Sequence, residues 1–216
     1  MKDSIILNKN DAIAKGNCRH VFRYNDNKCV KVALQETLEY RRQQQKKKSF
    51  LKFLFKPFLR NYNENYDDLR FYKRIIFQNK EDIYNYIPRF YGTVKTNLGM
   101  GIVTELLSDE AGGGLPTLLE YTRKNGISQD LIDAIKDIWQ NLIKYNITIR
   151  APHTNNFLVK SNNGKLQLFM IDGFGSCNLI PLNDYIPFLG RKKIRKKYNT
   201  FIEFLIEENP DFKQYF

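Results

Sequence analysis

Two oxygen-bearing side chains in the C-terminal half of the chain have the type and spacing of a metal-binding pair. Asn156 closes the stretch ITIRAPHTNN, and Asp172 follows an apolar segment and opens the sharp turn DGFG. The segment between them predicts a β-hairpin that turns at SNNG, and a hairpin brings its two ends together. Amide and carboxylate oxygens suit Mg²⁺. Taken singly, these residues could be a loop-capping amide and a turn aspartate; together they predict a divalent-cation site.

Lys31 could supply the cation that such a site needs to hold phosphate. It stands in KCVKVA between two valines, and this alternation predicts a strand with Lys31 on the opposite sheet face, pointing into a cleft. An ordinary solvated lysine is the alternative. Asp68 lies on the next predicted helix at a spacing that pairs it with Lys31, and Asp67 and Glu64 could serve equally. Gly16, in the turn before the preceding strand, would let backbone approach phosphate, although a glycine-rich loop usually has three glycines.

The elements that must position these residues change in type along the chain. The N-terminal half predicts strands at 21–24, 29–34, 89–96 and 101–107 and an amphipathic helix at 66–77. The C-terminal half predicts a long helix with Ser128 as its N-cap, the hairpin, and a last helix at roughly 192–208.

This order predicts an α+β fold in a single domain, 1–216. A small antiparallel β lobe (1–107) would carry a basic insertion at 35–61, and a mainly helical lobe would follow (108–216).

The composition of the chain indicates which classes of partner and which location to expect. Its 216 residues carry 35 Lys and Arg against 23 Asp and Glu, and the formal net charge of +12 favours phosphate-rich partners, although codon bias can contribute to it. The apolar runs are too short for a signal peptide or a membrane span. The three cysteines have neither zinc-ligand nor redox spacing. We therefore expect a cytoplasmic protein.

The segment 41–60, RRQQQKKKSFLKFLFKPFLR, concentrates cations beside Phe and Leu. One interpretation is a solvated insertion. A second is docking to an anionic membrane surface, which would make the protein peripheral at the inner membrane face. Contact with nucleic acid, to which RKKIRKK at 191–197 would contribute, is the weaker alternative.

Six stretches of the chain together resemble one family: KGNCRHVF, KCVKVAL, IPRFYGTVKTNLGMG, NNFLV, MIDGFGS and NLIPL. They are similar to the bacterial YrbL family, the PhoP regulatory network proteins, over roughly residues 5 to 205. The resemblance implies a two-lobed, divergent protein-kinase-like fold. It also implies site roles: α/β-phosphate binding for Lys31, orientation of that lysine by Asp68, adenine contact through the backbone at Glu105 to Leu107, and metal binding by Asn156 and Asp172.

Two catalytic-loop positions depart from the kinase pattern. Ala151 stands where the acceptor-orienting aspartate is expected, and the resemblance implies that a small residue is ordinary there. His153 takes the place of a lysine that often touches the transferred phosphate, so we expect a phosphate contact or a base; a solvated loop histidine is the alternative. A general base contributes about 10²–10⁴-fold, whereas phosphoryl transfer depends mainly on positioning and charge neutralisation. Nucleotide binding is therefore better supported than transfer.

The leading functional hypothesis is a kinase-like protein that binds ATP and Mg²⁺ between its lobes, with phosphoryl transfer as a further step that the absent aspartate leaves open. The acceptor could be a protein, a sugar or a lipid-linked sugar. One alternative is a pseudokinase that acts through protein contacts. The other is a basic scaffold that binds membrane or nucleic acid.

Overall fold

A five-stranded antiparallel sheet, a separate two-stranded hairpin and several helices make the fold α+β. The computed structural model describes residues 4–16, 18–39, 64–162, 164–175 and 182–216. The chain divides into two compact units. The first contains the described residues before Lys80 together with Arg89–Leu106, and the second contains Lys80–Pro88 and the described residues from Leu107 onward.

The five-stranded sheet belongs to the first unit and has the strand order β1-β2-β3-β5-β4. Its strands are β1 (Ala12–Lys15), β2 (Arg19–Asn25), β3 (Lys28–Ala33), β4 (Phe90–Thr96) and β5 (Gly99–Glu105). The four predicted strands are confirmed to within two residues at each end. Strand β1 was not predicted, because its four residues, AIAK, are mostly exposed and too few to give an alternating apolar signal.

Buried residues lie on both faces of this sheet. On one face, Phe22, Val30, Val32 and Val103 form a buried cluster. The other face carries helix α1 (Glu64–Gln78), which confirms the predicted helix at 66–77.

The seating of α1 depends on polar and aromatic contacts. Asn65 Nδ2 donates to Lys31 O at 3.0 Å and to Met100 O at 2.8 Å, which joins the first turn of the helix to two neighbouring strands. Further along, Tyr72 stacks on Phe90 with ring centroids 5.0 Å apart. These contacts bring the acidic first turn of α1 against the sheet beside Lys31.

The second unit contains the hairpin and most of the helices that the structure describes. Its elements are α2 (Leu118–Asn125), α3 (Gln129–Lys144), β6 (Phe157–Asn162), β7 (Lys165–Met170), α4 (Leu182–Tyr185) and α5 (Pro187–Glu208). Short 3-10 helices lie at Lys9–Asp11 in the first unit and at Glu81–Asn85, Thr154–Asn156 and Pro210–Gln214 in the second. The predicted long helix and hairpin are confirmed, and Ser128 is the N-cap of α3, accepting from Leu131 N at 3.3 Å.

The core of the second unit is built around Trp139, which is 2% exposed. Its ring centroid lies 6.1 Å from that of Phe157 and 5.2 Å from that of Phe201, so α3, the hairpin and α5 meet there. Helix α5 begins five residues earlier than the predicted 192, at Pro187. Proline is tolerated in the first turn because its missing N–H has no partner to lose there.

Two predicted features lie wholly or partly outside the described residues. In the predicted insertion at 35–61, residues 35–39 are helical, whereas the basic segment 41–60 lies outside the described residues. Most of NLIPL (178–182) does so too. In the part of the chain that is described, no helix is both long and apolar enough to cross a bilayer.

Candidate functional site

In the second unit, the loop 148–156 lies against the turn 171–175. Residues Ile149 and Phe174 form an antiparallel bridge, so the two segments run side by side like a pair of strands. Three backbone hydrogen bonds join them: Arg150 N to Gly173 O, Gly175 N to Thr148 O, and Ile171 N to Asn156 O, each at 2.8 Å. The loop and the turn are therefore a single backbone-linked structure.

The side-chain amide of Asn156 has a fixed orientation. Its Nδ2 donates to the carbonyl oxygen of Ala151 at 2.8 Å. Because a carbonyl oxygen only accepts, the nitrogen end of the amide must face Ala151, and Oδ1 is left as the end that can accept or ligate. Asn156 is partly buried. This orientation fits the role of an oxygen ligand for a hard cation.

Gly173 keeps the turn close to this amide. Its φ is +82°, a conformation that favours glycine. A Cβ at this position would lie 3.0 Å from Ala151 O and 3.1 Å from Asn156 Nδ2, so a side chain would press on the hydrogen bond that orients Asn156. Gly175 has a φ of +89° but open space around it. Both the positive φ and the close packing thus favour glycine at 173, whereas only the positive φ favours it at 175.

Asp172 lies between Ile171, whose N–H donates to Asn156 O, and Gly173. It is partly buried, and its Oδ1 accepts from Gly173 N at 2.5 Å. The structure therefore brings Asn156 and Asp172 together, one with an amide oxygen and the other with a carboxylate. Mg²⁺ is commonly bound by one or two carboxylates, with water and substrate phosphates as its other ligands. Among the described residues, no group of three or more His, Cys, Asp or Glu side chains is arranged to hold a metal.

Side chains from the two C-terminal helices of this unit anchor the loop. The Thr148 hydroxyl donates to the buried carboxylate of Asp184 on α4. The Thr154 hydroxyl donates to Glu208 Oε1 on α5 at 2.9 Å. Both ends of the loop are thus held in place by side chains of the helices.

His153 lies on the exposed side of the same loop. Its ring stacks on Phe204 of α5, with centroids 5.4 Å apart and an interplanar angle of 29°. The imidazole therefore has a packing role, and its proposed contact with phosphate stays a prediction.

In the first unit, Lys31 occupies the predicted strand and face. It lies in β3 opposite Val21 and Ile102 and is 6% exposed. Its neighbours Val30 and Val32 point into the apolar cluster on the other side of the sheet. A lysine this deeply buried requires specific polar surroundings, because burial disfavours an isolated charge.

The acid predicted to orient Lys31 makes a close ion pair with a different cation. Asp68 Oδ2 lies 2.5 Å from Arg19 Nη1, and the side chains of Asp68 and Arg19 are 1% and 4% exposed. Arg19 faces Ala33 in β3, two residues from Lys31, so both cations share one sheet face. The structure brings Asp68 to the face that carries Lys31; direct pairing of these two stays a prediction. Of the two alternatives, Asp67 pairs with Arg70 at 3.2 Å, and the side chain of Glu64 is outside the described set.

The remaining predicted nucleotide-binding residues lie at the ends of elements. Gly16 is exposed just after β1, and its N–H donates to Arg19 O at 2.9 Å. Glu105 closes β5, and its carboxylate accepts from Arg89 N at 3.1 Å. Leu107 is 9% exposed and belongs to the second unit. Their predicted roles with nucleotide stay predictions.

Comparison of the sequence with known families identifies one of them. The sequence model described as PhoP regulatory network protein YrbL matches residues 5–205. The chain belongs to the YrbL family. The match contains every candidate residue from Gly16 to Asp172 and ends within α5, so the predicted family is confirmed. Comparison of this YrbL chain with curated proteins gives no match.

Several residues that hold the candidate residues of this YrbL-family chain in place were not predicted from the sequence. Arg19 and Asn65 support the Lys31 face, and Asp184 and Glu208 anchor the loop. Arg19 lies in β2 on the sheet face opposite the buried Phe22. The alternation of side chains along a strand is the signal that could have placed it there. Asp184 and Glu208 lie more than thirty residues from their partners, and local spacing does not reveal contacts at that distance.

Proposed function

We propose that this YrbL-family protein binds ATP together with Mg²⁺. The observation that carries the proposal is the meeting of Asn156 and Asp172, with the amide oriented by Ala151 and the approach maintained by Gly173. Asn156 Oδ1 and the Asp172 carboxylate would hold the cation. The bound Mg²⁺ would neutralise phosphate charge.

Lys31 would supply the second electrostatic element, a contact with the α- and β-phosphates. Its burial on a sheet face beside Arg19 and Asp68 supports a positioned rather than a solvated ammonium. Adenine would contact the backbone between Glu105 and Leu107. Under this proposal the chain has a divergent protein-kinase-like fold, and the antiparallel sheet and the helical unit correspond to the two lobes of that fold.

Thermal shift with ATP, in the presence and absence of Mg²⁺, tests metal-dependent binding. The informative variant is Asp172→Asn, which keeps the size of the side chain and removes its charge. Asp133→Asn is a matched control, because Asp133 is an exposed helical carboxylate of the same unit that accepts from Gln129. We expect a Mg²⁺-dependent ATP shift in the wild type and the control and its loss in Asp172→Asn. Equal shifts with and without Mg²⁺ would refute the metal assignment.

A second candidate function is that of a pseudokinase, which binds nucleotide and signals by protein contact. The observation that favours it is at Ala151, whose side chain has no group to orient an acceptor and whose carbonyl is engaged by Asn156. Transfer of the label from γ-labelled ATP to a protein, sugar or lipid-linked sugar would identify a phosphotransferase. Binding without labelling of any acceptor would identify a pseudokinase. If the protein is a phosphotransferase, unchanged turnover in His153→Ala would remove His153 from its mechanism.

A further inference from the structure

The first half of helix α5 carries an unusual concentration of positive charge. Residues 191–197, RKKIRKK, supply six cations around the single apolar residue Ile194. No acidic residue occurs between Asp184 and Glu203, and Asp184 is buried against Thr148. The carboxylates of α5 begin only at Glu203, so the charged residues in the first half of the helix are all cations.

Helical geometry sorts these residues onto two faces. Ile194 and Phe201 are fully buried and define the inner face of α5. Lys192, Arg195 and Lys196 are exposed and lie on the outer face. The outer face thus presents three cations to solvent within little more than one turn.

Exposed apolar side chains lie in the first turn of this helix and immediately before it. Phe188 is 75% exposed and stands one turn before Lys192, so the two side chains are neighbours on the surface. Tyr185 and Ile186, just before the helix, are 62% and 43% exposed. We call the combined surface the aromatic–basic patch: Tyr185, Ile186, Phe188, Lys192, Arg195 and Lys196.

We infer that the aromatic–basic patch docks the protein on an anionic lipid bilayer surface. A bilayer interface matches both halves of the patch, because its headgroups attract the cations while its upper acyl region accepts Phe188 and Ile186. A tyrosine such as Tyr185 suits the boundary between the two, since it has an apolar ring and a polar tip.

Other occupants match only part of the patch. A nucleic-acid duplex would engage Lys192, Arg195 and Lys196 through its phosphates but would leave the apolar side chains in water. A second copy of the chain would bring like charges face to face, which opposes association. The residues of the patch belong to a different part of the sequence from the basic segment 41–60. The inference does not depend on nucleotide binding.

Co-sedimentation of the full chain with vesicles tests the inference. One set of vesicles is phosphatidylcholine mixed with phosphatidylglycerol, and the other is phosphatidylcholine alone. We expect binding to the anionic set, weakened by added salt, and little binding to the neutral set. The triple variant Lys192→Gln, Arg195→Gln, Lys196→Gln should lower the partition coefficient about 100-fold, because each cation near an anionic surface contributes about fivefold.

Two further variants separate this patch from general effects of charge. Phe188→Ser should lower the partition coefficient about tenfold through lost apolar burial. The control triple variant Lys124→Gln, Lys165→Gln, Lys213→Gln removes the same charge from exposed sites elsewhere in the second unit and should bind nearly as the wild type does. Circular dichroism checks that each variant is folded, which the exposure of all these side chains favours.

Three outcomes would overturn the inference. Equal binding to neutral and anionic vesicles would remove the electrostatic component. Equal losses in the two triple variants would show that net charge, rather than this patch, is responsible. Tighter binding to duplex DNA than to anionic vesicles, unaffected by Phe188→Ser, would assign the cations to nucleic acid instead.

Discussion

The two units of the chain hold their candidate residues by different kinds of interaction. In the second unit, backbone hydrogen bonds and a glycine at 173 bring Asn156 and Asp172 together. In the first unit, the surroundings of Lys31 depend on buried side chains, above all the ion pair between Arg19 and Asp68. A site built from backbone geometry therefore follows from local sequence, whereas the choice of side-chain partners depends on how distant segments pack.

The largest expected effect comes from breaking the buried ion pair of the first unit. Asp68→Ala removes the carboxylate that faces Arg19, and truncating one member of a buried pair costs about 3–5 kcal/mol of unfolding free energy. Urea denaturation followed by circular dichroism measures this loss.

The double variant Arg19→Met, Asp68→Leu is the matched comparison. Replacement of a buried ion pair by apolar residues of similar size is often neutral, so this variant should be more stable than Asp68→Ala. If both variants lose the same free energy of unfolding relative to the wild type, the loss in Asp68→Ala does not come from leaving Arg19 without this carboxylate.

A smaller effect is expected at the backbone-built site of the second unit. Gly173→Ala and Gly175→Ala both place a side chain at positive φ, a strain of about 1–3 kcal/mol. Only Gly173→Ala also presses on Ala151 O and Asn156 Nδ2. We expect Gly173→Ala to be the less stable of the two in urea and to lose affinity for Mg²⁺ and ATP, whereas Gly175→Ala keeps that affinity. The same ATP affinity in both variants would argue against the role of Gly173 in orienting the amide.

The smallest effect concerns the support of the hairpin that leads to Asp172. Tyr86 O accepts from Met170 N at 2.9 Å, and burial together with Asp137 raises the pKa of Tyr86 to about 12. Because the unfolded chain releases this proton near the ordinary value of 10.0 and the folded chain keeps it, stability should fall as pH rises from 10.0 to about 12. Tyr86→Phe should make that fall shallower.

Urea midpoints measured across this pH range provide the comparison for Tyr86. Tyr91→Phe, at an exposed tyrosine of the first unit, is the control and should follow the wild type. If the urea midpoint of Tyr86→Phe falls with pH as steeply as that of the wild type, this tyrosine does not contribute to alkaline unfolding.

The sequence predicted the elements whose signals are local. Apolar alternation identified the strand of Lys31, and the apolar period after Ser128 identified α3. Hairpin and turn residues predicted that Asn156 and Asp172 meet. Helix α2 was missed although its capping box, Thr117 with Glu120, is a readable signal.

Partners separated by long stretches of chain could not be predicted in the same way. Arg19 and Asp68 are brought together by the seating of α1 on the sheet, and a spacing rule suggested Lys31 as the partner instead. Likewise, the contact between Thr148 and Asp184 depends on how α4 and the hairpin pack against the loop. Side-chain partnership of this kind is decided by tertiary packing rather than by neighbouring residues.

The most direct test of nucleotide binding is calorimetric titration of ATP with Mg²⁺ into the wild type, Lys31→Ala, Asp172→Asn and the double variant. We predict Mg²⁺-dependent binding by the wild type and a loss of about tenfold or more in each single variant, since each removes a charged contact. If both residues act on the same nucleotide, the double variant should lose less than the product of the two single losses. Absence of ATP binding by the folded wild type, or binding that neither substitution changes, would contradict the proposal.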